Sequence, residues 1–350
     1  MIWELKRYGS YLKKSFFRSG RLNFLILYVT SKCNLSCGSC FYHKKLNQIG
    51  DLPLAEYEKI SKSLAEFSIL GIGGGEPFTR PDLADICALF VERNKVDTIF
   101  IPTNGVLAEA ILANTENLLK KFPNVSLSVN PSLDGLAEFH NKNRGAPAVF
   151  ESCLKTIEGL IELKKKYKNL QVIVNTVVMR ENFEDVIKLM EFLKQFEIDF
   201  QAFELLRGEP RDKKTPELDQ VKKIHELILK NRLWHLEKRR AGAEFNLIYR
   251  LEKIIVLGVL KYSQEFKEAA LRGESWPVNC PAGENIKVIY PNGLSSCCEI
   301  LPPRAGENKP KKNCACTHIC FIHSAIAKSP KSILGVISGY FKARKIIKYD

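Results

Sequence analysis

Between residues 24 and 206 the chain repeats one pattern six times: a short run rich in apolar and β-branched residues, then a longer stretch with apolar residues at helical spacing. The short runs fall at 24–30, 68–71, 98–102, 126–129, 171–178 and 200–206, with helical stretches such as 54–67, 81–93, 150–167 and 182–196 between them. A strand that returns through a helix pairs parallel with its predecessor, and the crossover is right-handed. The pattern predicts an α/β fold, a partial (β/α)6 TIM-like barrel, with functional residues gathered at the carboxyl ends of the strands. A length of 350 residues leaves room for a smaller extension. The expected division is a basic amphipathic segment at 1–23, the barrel at 24–210, a charged helical connector at 211–275 with an apolar centre at 254–260, a turn-rich cysteine-bearing unit at 276–325, and a basic amphipathic tail at 326–350.

Three of the eleven cysteines follow the first strand run, as Cys33-x3-Cys37-x2-Cys40. A [4Fe–4S] cluster takes four thiolates, so three leave one iron open to a small molecule. Three thiols also fit part of a zinc site, which takes four Cys or His ligands. Cysteine-rich secreted domains are small and follow a signal peptide. Here the apolar run at 24–29 is short and leads into Ser31-Lys32 without small residues suited to cleavage, so it reads as a buried strand. The thiols therefore read as ligands in a reducing cytoplasm rather than as disulfides. No apolar stretch approaches the roughly 18 residues that span a bilayer.

The formal net charge of +14 is concentrated at the ends, since 1–30 and 328–350 each hold six Lys/Arg against one acid. Leu5, Tyr8, Leu12 and Phe16 recur at helical spacing among basic residues, and the tail mixes Ile333, Leu334, Val336, Ile337, Tyr340 and Phe341 with Lys342, Arg344, Lys345 and Lys348. Two readings stand: peripheral contact with an anionic membrane surface, or helices that cap the domain and expose their charges. Nucleic-acid binding would call for basic residues and aromatics in one stripe, and charge at the two ends argues against it.

After the second strand run comes Gly73-Gly74-Gly75-Glu76-Pro77. In this order, the cysteine run and the glycine segment resemble the radical S-adenosylmethionine (SAM) superfamily. The resemblance implies that Cys33, Cys37 and Cys40 hold a [4Fe–4S] cluster whose open iron chelates SAM. It also implies that Gly74, Gly75, Glu76 and Pro77 hold the SAM amino group, Glu76 accepting charge-assisted hydrogen bonds. Weaker segments follow in the family's order: Thr103-Asn104-Gly105, then Ser132-Leu133-Asp134-Gly135, then His140 and Arg144. By resemblance Asn104, Ser132 and Asn175 face SAM, with Ser132 and Asn175 (expected at the end of the fifth strand) on its carboxylate or ribose. Asn-Gly and Asp-Gly are also ordinary turn formers. Asp134 is expected to shape its loop and His140 to fix a helix start. Arg207 is expected to pair with an anionic group or to form a salt bridge at the domain edge. Ser39 departs from the aromatic or apolar residue that the family usually has before the third cysteine, so Phe41 or Tyr42 is expected to take the adenine contact.

Cys280-x12-Gly293-x4-Cys298 resembles the opening of the SPASM/twitch extension, and Cys314-x-Cys316-x3-Cys320 adds three thiols. The resemblance implies one auxiliary iron–sulfur cluster, of the [4Fe–4S] type, drawn from Cys280, Cys298, Cys314, Cys316 and Cys320, with Cys297 nearby; two complete clusters need eight thiolates. A zinc site using His318 or His323 is the alternative. Cys87 and Cys153 sit in helical patterns and read as buried small apolar residues.

The implied activity is reductive cleavage of SAM to a 5′-deoxyadenosyl radical that abstracts hydrogen from substrate. The implied partners are an electron donor such as flavodoxin or ferredoxin and a small-molecule or lipid-type substrate, a lipid-linked sugar included. No residue stands out as a general base. One alternative is a peptide-modifying maturase; only 32 residues precede Cys33, which argues against the version with an N-terminal leader-binding domain. The other is a zinc or iron–sulfur protein without radical catalysis. The expected location is the cytoplasm, peripheral on the membrane under the first reading of the ends.

Overall fold

The first strand, β1 (Phe24–Thr30), is buried along its whole length. Leu25, Leu27 and Val29 join one apolar core while Phe24, Ile26 and Tyr28 join another, as the two-residue alternation of a strand requires. A strand covered on both faces needs a continuous apolar run, which is why residues 24–29 carry no charge. The computed structural model describes residues 22–48, 50–239, 247–300 and 316–348. Cys314 and all but residues 22 and 23 of the expected N-terminal segment lie outside them.

Five further strands follow parallel to β1: β2 (Ile69–Gly74), β3 (Thr98–Thr103), β4 (Ser126–Pro131), β5 (Leu170–Val178) and β6 (Phe200–Leu205). Helices α1 (Leu54–Ser63), α2 (Leu83–Asn94), α3 (Ala108–Lys121), α4 (Ala137–Arg144), α5 (Val149–Lys166) and α6 (Phe183–Leu193) connect them. The sheet order is β6-β5-β4-β3-β2-β1-β7-β8, open rather than closed into a barrel. Side chains from α1, α2, α3, α5 and α6 pack the outer face with Leu25, Leu27 and Val29.

The C-terminal region is built onto the free edge of β1. Strand β7 (Ile286–Ile289) pairs parallel with it, Phe24 opposite Ile286 and Leu27 opposite Ile289, and β8 (Ser295–Ser296) turns back antiparallel. Helices α7 (Leu218–Arg239), α8 (Leu247–Leu271), α9 (Ile319–Lys328) and α10 (Ser332–Lys348) complete the chain. The second core, on the inner side of the sheet, gathers Phe24, Ile26 and Tyr28 with α8, β7 and α9.

Three local differences from the expected pattern have physical causes. Strand β2 runs on to Gly74, so the glycine segment begins inside the strand, with Gly73 opposite Tyr28. Helix α1 stops at Ser63 because Asn94 Nδ2 donates to the carbonyls of Ser61, Leu64 and Ala65, satisfying acceptors that a helix end leaves open. Asn175 lies within β5, opposite Ala202, because pairing with β6 continues to Val178. Its expected place at the strand end is corrected accordingly.

Candidate functional site

Pairing between β1 and β2 slips at Tyr28–Thr30, and this irregularity starts the cysteine loop. The displaced Val29 carbonyl is satisfied by Arg80 Nη1 at 2.9 Å and by Tyr57 Oη at 3.1 Å. Asp51 then accepts from Thr30 Oγ1 at 2.6 Å and from the Ser31 amide at 2.8 Å. Asn47 brackets the first cysteine: its Oδ1 accepts from the Cys33 amide at 3.0 Å, and its Nδ2 donates to the Cys33 carbonyl at 3.3 Å. Further along, the Gly38 amide donates to the Asn143 carbonyl at 2.8 Å, and the Cys40 amide to the Cys37 carbonyl at 3.3 Å.

The loop carries Cys33, Cys37 and Cys40, all half-buried and free of disulfides and near enough for Cys33 to feel the charge of the other two, although among the described residues no three Cys, His, Asp or Glu side chains are grouped as metal ligands. Burial, opposed by a backbone donor and helped by the neighbouring Cys37, Glu76 and Cys40, lifts the Cys33 thiol to about 11. Cys40 is raised as well, chiefly by burial. Thiols that repel one another as thiolates suit a shared cation, whose charge reverses that penalty. The donor set fits an iron–sulfur cluster.

Glycines let β2 approach this loop. Gly74 has φ +131°, and a Cβ there would lie 2.3 Å from the Thr30 carbonyl oxygen. One on Gly75 would lie 2.0 Å from the Lys32 carbonyl oxygen. Amides close the contact: Gly75 donates to Thr30 at 2.9 Å and Glu76 to Lys32 at 2.8 Å. Pro77 opens a single 3-10 turn, Pro77–Thr79.

Glu76 itself is 1% exposed. Its Oε1 accepts from Thr103 Oγ1 at 2.9 Å and from the Phe78 amide at 3.2 Å, and its Oε2 from the Asn104 amide at 2.7 Å. Burial pushes its carboxyl up to about 7 despite these donors. The side chain thus clasps the ends of β2 and β3. Asn104 extends the clasp, its Nδ2 donating to Asn34 Oδ1 at 2.7 Å in the cysteine loop. Ser132 and Asn175 are half-buried and bridge-paired, and Asn175 Oδ1 accepts from Asn130 Nδ2 at 3.4 Å.

On the far side stand Asp134, His140 and Arg144, whose partners sequence reasoning did not name. Asp134, fully buried, pairs with Arg144 at 2.8 Å and accepts from Asn143 Nδ2 at 2.9 Å and the Val177 amide at 3.1 Å. Arg144, itself buried, has its Nη1 3.9 Å from Cys37 Sγ. His140 accepts from the Asp134 amide at 3.1 Å, and burial drops it to about 3. The only sequence signal for Arg144 was its place after His140. Tyr42 packs on Tyr28 and stacks with Tyr290, and Arg207 covers the Phe41 ring, so each aromatic expected to meet adenine already has an intramolecular partner.

The second cysteine group lines the same inner core. Cys280, Cys297, Cys298, Cys316 and Cys320 all pack there, with Cys33 and Cys40. Burial raises Cys316 strongly, with Cys298 and Cys280 adding to it. Between the two groups lies a buried polar bridge. Tyr28 Oη donates to Glu299 Oε1 at 2.6 Å, and Arg207 lies 3.4 Å from Glu204 and 3.6 Å from Glu299, an internal ion pair. His318 Nδ1 accepts from the Cys320 amide, which leaves Nε2 to donate to Glu299. Both ring nitrogens of His318 are thus used, against its role as a zinc ligand. Burial opposes ionisation of Glu299, but His318, Arg207 and Tyr28 hold its carboxyl down to about 2.

Residues 27–193 match the radical SAM superfamily model. The GTP 3′,8-cyclase of Clostridium perfringens is 27% identical over 192 residues, 53% of this chain and 56% of that protein. The Fe-coproporphyrin III synthase of Methanosarcina barkeri is 28% identical over 209 residues, 57% and 49% of the two chains. The chain thus spans about half the length of the curated relatives it matches. Streptococcus suis SuiB, solved with its precursor peptide SuiA, superposes with a TM-score of 0.54 at 19% identity, over 95% of this chain and 70% of that one. The likeness to SuiB shows a shared fold. Over residues 27–193 the chain is similar to the radical SAM superfamily.

Proposed function

We propose that this chain is a radical SAM enzyme in which Cys33, Cys37 and Cys40 hold a [4Fe–4S] cluster and SAM binds beside it along the ends of β2 to β5. The reading is supported by the placing of the three cysteines on one loop braced by Asn47, Gly75 and Asn143 beside the glycine segment of β2. Bound there, the pair supplies one-electron reductive cleavage of SAM and hydrogen abstraction from substrate. The chain's own residues shape the site. Glu76 fixes the loop geometry, the backbone of 73–75 faces the amino group, and Ser132 with Asn130 and Asn175 offers polar contacts for the carboxylate or ribose. Arg144 sets a positive charge against Cys37.

Cys280, Cys298, Cys314, Cys316 and Cys320 supply the ligands of one auxiliary iron–sulfur cluster. The substrate is a small molecule or lipid-type molecule, electrons come from a flavodoxin or ferredoxin, and the reaction takes place in the cytoplasm, with peripheral contact at the membrane. A peptide substrate is the second reading, favoured by the fold shared with peptide-bound SuiB.

The test is anaerobic reconstitution with iron and sulfide, then dithionite reduction and a 5′-deoxyadenosine assay with SAM. Brown protein that forms 5′-deoxyadenosine is expected. Alanine at Cys33, Cys37 and Cys40 together should abolish that product while leaving about four irons, those of one [4Fe–4S] cluster. Colourless protein that binds zinc overturns the reading.

A further inference from the structure

Helix α10 shows two faces. Its small residues meet α8: a Cβ on Gly339 would lie 2.7 Å from the Gly258 carbonyl oxygen, and one on Gly258 would lie 2.4 Å from the Val336 carbonyl oxygen. Backbones in contact hold the two helices as one rigid surface. The opposite face is apolar and open. Leu334 is 75% exposed, Phe341 56%, Ile333 55% and Ile337 44%, and their spacing of three, four and seven residues puts them on one stripe. On α8, Leu247, Leu251 and Ile255 recur every four residues and are 68%, 49% and 48% exposed. Single exposed leucines are ordinary, and those of α8 fall on the side of Gly258 that faces α10, but four large apolar side chains on one stripe of α10 make a patch.

Charge identifies what covers it. Helix α10 contains no acidic residue, and its apolar stripe runs into Arg344 and Lys345 in the last turns, both exposed. Lys331, exposed, stands just before its start, and Lys342 is tied to Glu265 at 2.7 Å. Among the described residues no helix is long and apolar enough to cross a membrane, so a bilayer contact here is peripheral. We propose that the open face of α10 docks on a membrane surface rich in anionic lipid, apolar side chains entering the headgroup boundary and basic ones meeting lipid phosphates. This surface is separate from the cysteine sites and does not rest on the chemistry assigned to them.

Flotation of the intact protein with vesicles of phosphatidylcholine alone, or with phosphatidylglycerol added, reads the contact. Binding at least about tenfold stronger to the anionic vesicles, and weakened by salt, is expected. Phe341→Trp should show a blue-shifted emission on adding those vesicles. Ile337→Asn with Leu334→Ser, and separately Arg344→Glu with Lys345→Glu, should each cut binding about tenfold or more, with unchanged circular dichroism. Absence of binding by the folded wild type overturns the proposal, as does binding that both variants retain. A stable dimer by light scattering that Leu334→Arg dissociates also overturns it, in favour of a second copy of the chain.

Discussion

A methyl group on Gly75 would lie 2.0 Å from the Lys32 carbonyl oxygen and 3.0 Å from Cys33 Cβ, and backbone cannot swing aside as a side-chain tip can. Gly75→Ala should therefore push the cysteine loop away from β2. We expect a loss of about 1–3 kcal/mol, the usual cost of overpacking, in urea unfolding. Lower iron content after reconstitution should accompany it; wild-type iron loading in the variant would contradict the account. Asp134 is the matching test on the far side. Asp134→Asn leaves Arg144 buried without its carboxylate and should cost about 3–5 kcal/mol. The double variant Asp134→Asn with Arg144→Gln should recover part of that, and strict additivity in the unfolding data would argue against the pair. Cysteines and glycines were legible from the chain because their spacing is local. Arg144 was not: it stands 107 positions from Cys37 and reaches it only after β4 and α4 have packed.

Elements followed the same division. Six strand runs were readable because apolar and β-branched residues recur in short runs between helical stretches, and β1, buried along its whole length, falls on its expected bounds. The pairing of β7 with β1 was not readable, since four residues, Ile286–Ile289, carry little periodicity and their partner lies at the other end of the chain. Contact between α8 and α10 was also hidden, because Gly335 and Gly339 weaken a helix by propensity and reveal their use only where another backbone arrives. Gly339→Val should force the helices apart and lower stability by about 1–3 kcal/mol, seen as a lower thermal midpoint with helical circular dichroism retained. An unchanged midpoint would mean that the close approach carries no stability.

Across the whole molecule, buried histidines set the response to acid. Burial holds His140 near 3, His235 and His323 near 4, and His225 well below its ordinary value of 6.5. The folded protein keeps them neutral while the unfolded chain binds protons below about 6.5, so stability is lost as pH falls from there towards 4. Glu299, held near 2, acts in the same sense, losing its contribution as pH drops below its ordinary value of 4.5. Glu76 opposes them. Its carboxyl is raised to about 7 from 4.5, so the folded state binds the extra proton and gains stability as pH falls across that window. A tenfold change in proton affinity on folding is worth about 1.4 kcal/mol, and four depressed histidines outweigh one raised carboxyl. The urea midpoint should therefore fall between pH 6.5 and 4.5. His140→Gln should flatten that fall, because glutamine keeps an acceptor for the Asp134 amide without a proton to gain. Glu76→Gln should steepen it by removing the opposing titration. A midpoint that rises as the solution is acidified would show that the histidines are open to water in the folded chain, and would undo the packing assigned to α4, α7 and α9 together.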